Sequence, residues 1–431
     1  MAEQTLVEAG LLLPHAHAAF SPGGLVFAAD EVLFVGESGE AERRFPRAQL
    51  VNARELILIP GLVNAHTHLC YTCKLGRFPF FGSFPLWLFA LGTYATARSE
   101  ARWHADTRAG IRLSLAAGTV AVGDICSRWD AVPLLDQSPL GGVAFGEVLG
   151  MGPQRVASAH ERLAQALPRP EGGRISFGLS PHTPYTTDQG LYRACADVAR
   201  ERGLRLATHL AETRAEEQFV RHDRGVLAHV ARRLSEGEYL SQPTGGSPVE
   251  YMADLGVLGP DVILAHLNYP SPDDIRLVAD SGAHVAFCPG SHRFFRHEPH
   301  PVEDLLAASV NVCLGTDSLA SNVSLSVLRE MRLLREAHPA ISPAQALHMG
   351  TMAGAEALGI ADRYGSLAAG KSASFVAVRP AVPVGEATTP DEAAAALLAK
   401  NSTVELVIAA GSVCFDRDAT GPCASPEVNQ A

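Results

Sequence analysis

Short apolar runs punctuated by Gly, Pro and Asp dominate both ends of the chain. Residues 5–13, 24–27, 31–35 and 48–51 read as β-strands, and the same signal returns at residues 375–378 and 404–414, with Gly365, Gly370 and Gly411 at the turns. The two ends are therefore expected to pair into one small composite β-sandwich. Between them the rhythm changes to brief apolar runs followed by amphipathic stretches such as 191–202, 273–280 and 302–308, the βα alternation of a parallel sheet. Candidate strands lie at 56–62, 120–124, 142–147, 175–180, 205–209, 262–266, 284–288 and 310–315. Eight such units over roughly 300 residues match the size of a (β/α)8 TIM barrel. A doubly wound open sheet is the competing topology, and periodicity alone does not separate the two. The expected organisation is α/β: residues 1–55 in the sandwich, 56–362 in the barrel, 363–420 in the sandwich again, and 421–431 as a flexible tail. Residues 380–396 read as a loop leading into a helix.

Composition narrows the picture. At 431 residues, 47% apolar and 19% charged, the chain can bury a sizeable core and is neither disordered nor a membrane protein by bulk character. Its net charge of −11 is spread along the sequence, which offers nothing to nucleic acid or to an anionic membrane and points to a small-molecule substrate. The longest uncharged stretch, 78–97, is broken by Pro79, Gly82, Pro85 and Gly92, so a membrane span is not expected. No basic region precedes an apolar run in the first thirty residues, and the eight cysteines follow no framework spacing, so a cytoplasmic protein with reduced thiols is expected. Cys70-Tyr-Thr-Cys73 is a CxxC pair without a second pair.

The chemistry begins at Pro60-Gly-Leu-Val-Asn-Ala-His66-Thr-His68, directly after the apolar run 56–59. Side chains alternate in an extended segment, so His66 and His68 project to one side and can hold one ion together. Further ligand-type residues close later strands: His209 the fifth, His266 the sixth and Asp317 the eighth. In a parallel barrel those ends share one face, so residues far apart in sequence converge. Three imidazoles from His66, His68 and His209 with the Asp317 carboxylate suit one divalent cation, Zn2+ first, with Fe2+, Mn2+ and Co2+ also accepted by these donors. Glu212 follows His209 by three residues and is placed to take a proton from water activated at the ion and return it to a leaving amine. His266 can polarise that water or meet developing charge, and Asp317 can orient the water while binding the ion.

The blocks PGLVNAHTH, GTVAVGDI, SPHTPYT, HLAET, AHLNYPSPDDI, AFCPGSHRFF, GTDSLASN and GSLAAGKSASFVAV, in that order, resemble the amidohydrolase superfamily. Among its branches the chain looks most like the metal-dependent aminohydrolases, which include adenosine-type, methylthioadenosine/adenosylhomocysteine and aminofutalosine deaminases. The resemblance implies a (β/α)8 barrel, a flanking composite β-sandwich, one ion on His66, His68, His209 and Asp317, Glu212 of HxxE as acid and base, and an assisting His266. It also implies that His182, just past the fourth candidate strand, binds substrate. No lysine ends that strand, so a single metal rather than a lysine-bridged pair is expected.

Within the branch, GTDSLASN with Leu325-Ser326, and the CPGSHRFF block, look closest to the aminofutalosine deaminases of the menaquinone pathway. Ser318 and His292, carried in those blocks, are candidate substrate contacts, and so is Trp87 in the aromatic loop 78–89, which is expected to wall a pocket or to meet a second subunit in a homodimer. The basic loop 291–297 is expected to attract a carboxylate on the substrate. One departure stands out. The methylthioadenosine/adenosylhomocysteine deaminases carry a glutamate after the first barrel strand that grips ribose hydroxyls, whereas Phe84-Pro-Leu-Trp-Leu-Phe-Ala-Leu-Gly-Thr-Tyr94 holds no acid. The expected activity is deamination of an amino-substituted heterocycle, an aminofutalosine-like adenine nucleoside first. The alternatives are methylthioadenosine/adenosylhomocysteine deamination, hydrolysis of a cyclic amide as in imidazolonepropionase, and ligand binding without turnover.

Overall fold

The computed structural model describes residues 3–74, 78–164, 173–234, 243–381 and 389–418. Two sheets organise them. One is mixed and draws on both ends of the chain, in the order Ser412–Asp416, Thr403–Ala409, Phe375–Arg379, Gln49–Pro60, Gln4–His15, Gly23–Ala28 and Glu31–Glu37, with Ala18–Phe20 paired to Gln4–His15. The N-terminal strand runs parallel to Gln49–Pro60, which pairs antiparallel with Phe375–Arg379 through Phe375 opposite Pro60 and Val378 opposite Ile57. Neither end of the chain could bury its apolar face alone.

The other sheet is the barrel. Among the described residues it has eight strands in sequence order, all pairs parallel: Leu62–Thr67, Thr119–Cys126, Gly141–Val148, Ile175–Pro181, Leu206–Leu210, Val262–His266, His284–Phe287 and Val312–Leu314. It closes where the end of the eighth strand meets the first: Thr67 bridges Asp317 in parallel, and the Thr316 and Asp317 amides each donate to the His66 carbonyl at 3.0 Å. Closure at that distance requires Gly315, where a β-carbon would sit 2.7 Å from the His66 carbonyl oxygen. Nearly every strand residue is buried, as expected when helices cover one face of a parallel sheet and the barrel interior covers the other. This is the predicted fold class.

The first barrel strand departs from expectation. The run 56–62 was expected to open the barrel, but the chain completes the mixed sheet through Pro60, and the barrel begins at Leu62. Gly61 is the junction. Its amide donates to the Ser374 carbonyl at 3.0 Å, and a β-carbon there would lie 2.2 Å from the Val120 side chain. Apolar character could not separate the two strands, because both are buried.

Two segments expected as loops contain helices. Phe84–Thr96 is helical, and its Trp87 packs edge-on against Phe295 with ring centroids 4.8 Å apart. Pro289–Phe295 is a short helix opened by Pro289 at its first position, which accounts for most of the basic segment 291–297. Pro390–Leu398 is the helix anticipated near residues 393–396, started by a capping box between Thr389 and Glu392. The tail at 421–431 and most of the preceding loop, 382–388, lie outside the described residues. Among the described helices none is long and apolar enough to cross a membrane.

Candidate functional site

His66, His68, His209, His266 and Asp317 meet at the C-terminal mouth of the barrel, each less than a tenth exposed. His68 Nε2 and His209 Nε2 are 3.2 Å apart, and Asp317 Oδ1 lies 3.5 Å from His68 Nε2 and 3.9 Å from His66 Nε2. The ring centroids of His66 lie 4.8 Å from His209 and 5.4 Å from His266. Ligand atoms of His66, His209 and His266 fall within 4.8 Å of one another, as do those of His66, His68 and Asp317.

The fit to a cation rests on what these donors lack. His66 Nδ1 and Nε2 and His68 Nδ1 are buried without a hydrogen-bond partner among the described residues, an unfavourable state unless something meets them. Burial, reinforced by the neighbouring imidazoles, holds the His66 and His209 pKa values well below the usual histidine range, so both rings are neutral near pH 7, the form a metal needs. His266 is lowered to about 4, chiefly by burial, with Asp317 opposing. Burial alone would raise the Asp317 carboxyl, but His68, His266 and His66 together hold it below the ordinary range as an anion. Ser321 and Ser291 hydroxyls donate to Asp317 Oδ2 at 2.6 and 2.7 Å, which leaves Oδ1 facing the histidines.

Backbone strain marks the same place. Ala211, His266, Leu267 and Asp317 all take positive φ, at 49°, 72°, 47° and 55°. Non-glycine residues held there cost about 1 kcal/mol or more each and cluster at functional sites.

Glu212 sits 3.7 Å from His266 Nε2 through its Oε1 and is 5% exposed. Burial first, then the Asp317 and Glu216 carboxylates, push its pKa well above the usual range. Glu216 is a residue that the strand-end reading missed. Its two oxygens accept from the Ala211 and Glu212 amides at 2.8 and 2.9 Å, while Thr213 caps the helix Arg214–His222 by accepting from the Glu216 amide. Glu216 thus fixes the turn that aims Glu212. Its replacement by alanine strips two buried amides of their partner and is expected to destabilise the protein by about 1–3 kcal/mol and to lower turnover. Urea unfolding with unchanged midpoint and activity would contradict that role.

The expected substrate contacts scatter. His182 reaches the mouth: its ring lies 4.9 Å from that of His209, its Nδ1 meets Thr186 Oγ1 at 2.8 Å, and its carbonyl accepts from the His209 amide at 3.0 Å. Ser318 is buried beside Asp317, its hydroxyl 3.4 Å from that of Ser321. Trp87 belongs to an apolar cluster with Phe84, Tyr185, Phe219 and Phe295, its indole nitrogen buried without a partner among the described residues. His292 instead turns its Nε2 to the Glu298 carbonyl at 2.8 Å, and Arg293 of the same basic segment pairs with Glu336 on the surface. In the CxxC pair Cys70 is buried and Cys73 exposed, both as free thiols.

Residues 57–414 match the model of the Amidohydrolase family. The chain belongs to that family. As an amidohydrolase it is a hydrolase acting on C–N bonds. It is 32% identical over 337 residues to an aminodeoxyfutalosine deaminase from Deinococcus radiodurans, a match covering 75% of this chain and 78% of the relative. A 5-methylthioadenosine/S-adenosylhomocysteine deaminase from Symbiobacterium thermophilum is 28% identical over 443 residues, covering 96% and 94%. Among solved structures, an adenosine deaminase from Xanthomonas campestris with bound zinc superposes on the amidohydrolase with a TM-score of 0.81 at 25% identity, covering 95% of this chain and 92% of that one.

Proposed function

We propose that this amidohydrolase deaminates an adenine nucleoside of the aminofutalosine class, using one divalent cation, zinc first, held by His66, His68, His209 and Asp317. The observation that carries the reading is Glu212: a buried carboxylate beside the imidazole cluster, 3.7 Å from His266 Nε2, aimed by Glu216. The named activities of the Deinococcus and Symbiobacterium relatives support the substrate class. The zinc in the Xanthomonas neighbour supports the choice of ion.

A cation bound there supplies Lewis acidity that makes water nucleophilic near neutral pH. Glu212 takes the proton of the attacking water and hands it to the departing amino group, so one carboxyl serves as base and then acid and ammonia leaves. His266, held neutral by burial, lies where it can hydrogen-bond the water or the oxygen that replaces the amine. Ser291 and Ser321 keep Asp317 in place during the exchange.

The test is to load the purified protein with zinc, then offer aminofutalosine, methylthioadenosine, adenosylhomocysteine and adenosine, following ammonia release and the ultraviolet change together. Aminofutalosine is expected to have the highest kcat/KM. A preference for methylthioadenosine or adenosylhomocysteine would favour the activity of the Symbiobacterium relative, and ammonia from none of them would reject the class.

A further inference from the structure

A carboxylate faces this mouth that the proton transfers above do not use. Glu147 lies one residue before the end of the third barrel strand, Gly141–Val148, and is 7% exposed. Among the described residues no N–H or O–H donates a hydrogen bond to its oxygens, and the partner it faces is His182 Nε2, 3.9 Å from Oε1 and beyond hydrogen-bond range. His182 Nδ1 is already engaged by Thr186, so Nε2 is the free edge of that ring. The ring of His182 lies 4.9 Å from that of His209 in the cluster, and Glu147 faces the Nε2 edge of His182. Glu147 therefore sits one side chain out from the reacting end, on the flank of the third and fourth strands.

A carboxylate is an acceptor with two oxygens, so one that faces a binding mouth with no donor on it from the described residues is open to donors carried by a ligand. Two hydroxyls on adjacent carbons supply the missing donors together, the way an acid at the end of a strand holds a ribose in nucleotide-binding folds. The stretch from Phe84 to Tyr94, after the first barrel strand, holds no acid that could do this.

We propose that Glu147, with His182 Nε2 beside it, is the subsite for the vicinal hydroxyls of the substrate's ribose. The subsite rests on the adenine-nucleoside reading, and it places the sugar under the third and fourth strands while the amino-bearing carbon faces Glu212. A residue that merely oriented His182 would affect all nucleosides alike, whereas a hydroxyl-binding residue affects only those with hydroxyls to bind.

The probes are adenosine and 2′,3′-dideoxyadenosine, given to the zinc-loaded full chain. Calorimetric binding to a Glu212→Gln background is read alongside kcat/KM in the active protein. Wild type is expected to favour adenosine by about 10- to 100-fold, the range for hydrogen bonds to a charged group. Glu147→Gln should shrink that ratio about tenfold, because the charge assistance is gone, and leave the dideoxynucleoside within about threefold of wild type. If Glu147→Gln does not fold, Glu147→Ala carries the same expectation. Equal losses on both nucleosides, or a wild type indifferent to the hydroxyls, would overturn the subsite while leaving the deaminase reading intact. Neither nucleoside binding nor reacting with wild type would overturn the subsite, and the deaminase reading falls with it only if aminofutalosine also releases no ammonia.

Discussion

Glu212→Gln is expected to lower kcat by about 10²- to 10⁴-fold, the usual contribution of a positioned acid–base group, while leaving the protein folded and loaded with metal. The amide keeps the shape of the carboxyl but neither accepts a proton from water nor returns one to an amine. Stability should move the other way in the metal-free protein. The Glu212 pKa is raised well above its unfolded value by burial and by Asp317 and Glu216. Its contribution to stability is therefore fully present below the unfolded pKa and is lost as pH rises through the folded one. At pH 7 the wild-type chain holds a carboxyl whose ionisation is disfavoured, and glutamine removes that penalty. Metal-free Glu212→Gln should thus melt at or above the wild-type temperature at pH 7, with the difference shrinking toward pH 4. Metal analysis, ammonia-release kinetics and melts at two pH values check the three parts. Turnover within a few-fold of wild type would exclude Glu212 as the proton carrier, and loss of metal would make it a ligand instead.

The second large effect concerns the cation. Removing it with a chelator is expected to abolish turnover and to lower the melting temperature, because a ligand bound only to the folded state stabilises it by about 4 kcal/mol at a thousandfold excess over its Kd. Asp317→Ala should remove that response. The Asp317 carboxylate is the one anion among the proposed donors, its Oδ1 3.5 Å from His68 Nε2, and without it the imidazoles face a dication with no anion to balance it. The variant leaves the Ser291 and Ser321 hydroxyls without their acceptor, so some loss of stability is expected even without metal. Scanning fluorimetry with and without zinc separates the two effects: wild type should shift upward on adding zinc and Asp317→Ala should not. A wild-type melt indifferent to both zinc and chelator would remove the basis for a metal site.

The site was legible because its residues terminate strands. His209, His266 and Asp317 each close or just follow an apolar run, and a parallel barrel collects such ends on one face. The same rule reaches Glu147, since the candidate strand 142–147 ends on it, but no motif around that acid distinguishes it from an ordinary strand-end residue. Glu216 carried a weaker signal: an acid in the first turn of a helix is ordinary, and only the fold reveals that it bonds two amides of the turn before it. The run 56–62 spans two strands in the structure, since two buried strands joined at Gly61 read as one apolar run. The basic segment 291–297 looked like a loop because a seven-residue helix carries too little periodicity to be recognised. Its position mattered, since it delivers Ser291 to Asp317 and turns His292 and Arg293 to other partners.

By itself the sequence determined the alternation of elements, the pairing of the two chain ends into one sheet, and which ligand-type residues end the barrel strands, because periodicity and local spacing are properties of neighbouring residues. The tertiary structure alone decided the distances and the burial. Closure of the first strand on the eighth brings Thr67 against Asp317, and enclosure of the mouth leaves His66 neutral and, among the described residues, without a hydrogen-bond partner, and sets Glu147 3.9 Å from His182. Desolvation and convergence are set by everything that surrounds a group, and what surrounds these groups comes from elements far apart along the chain.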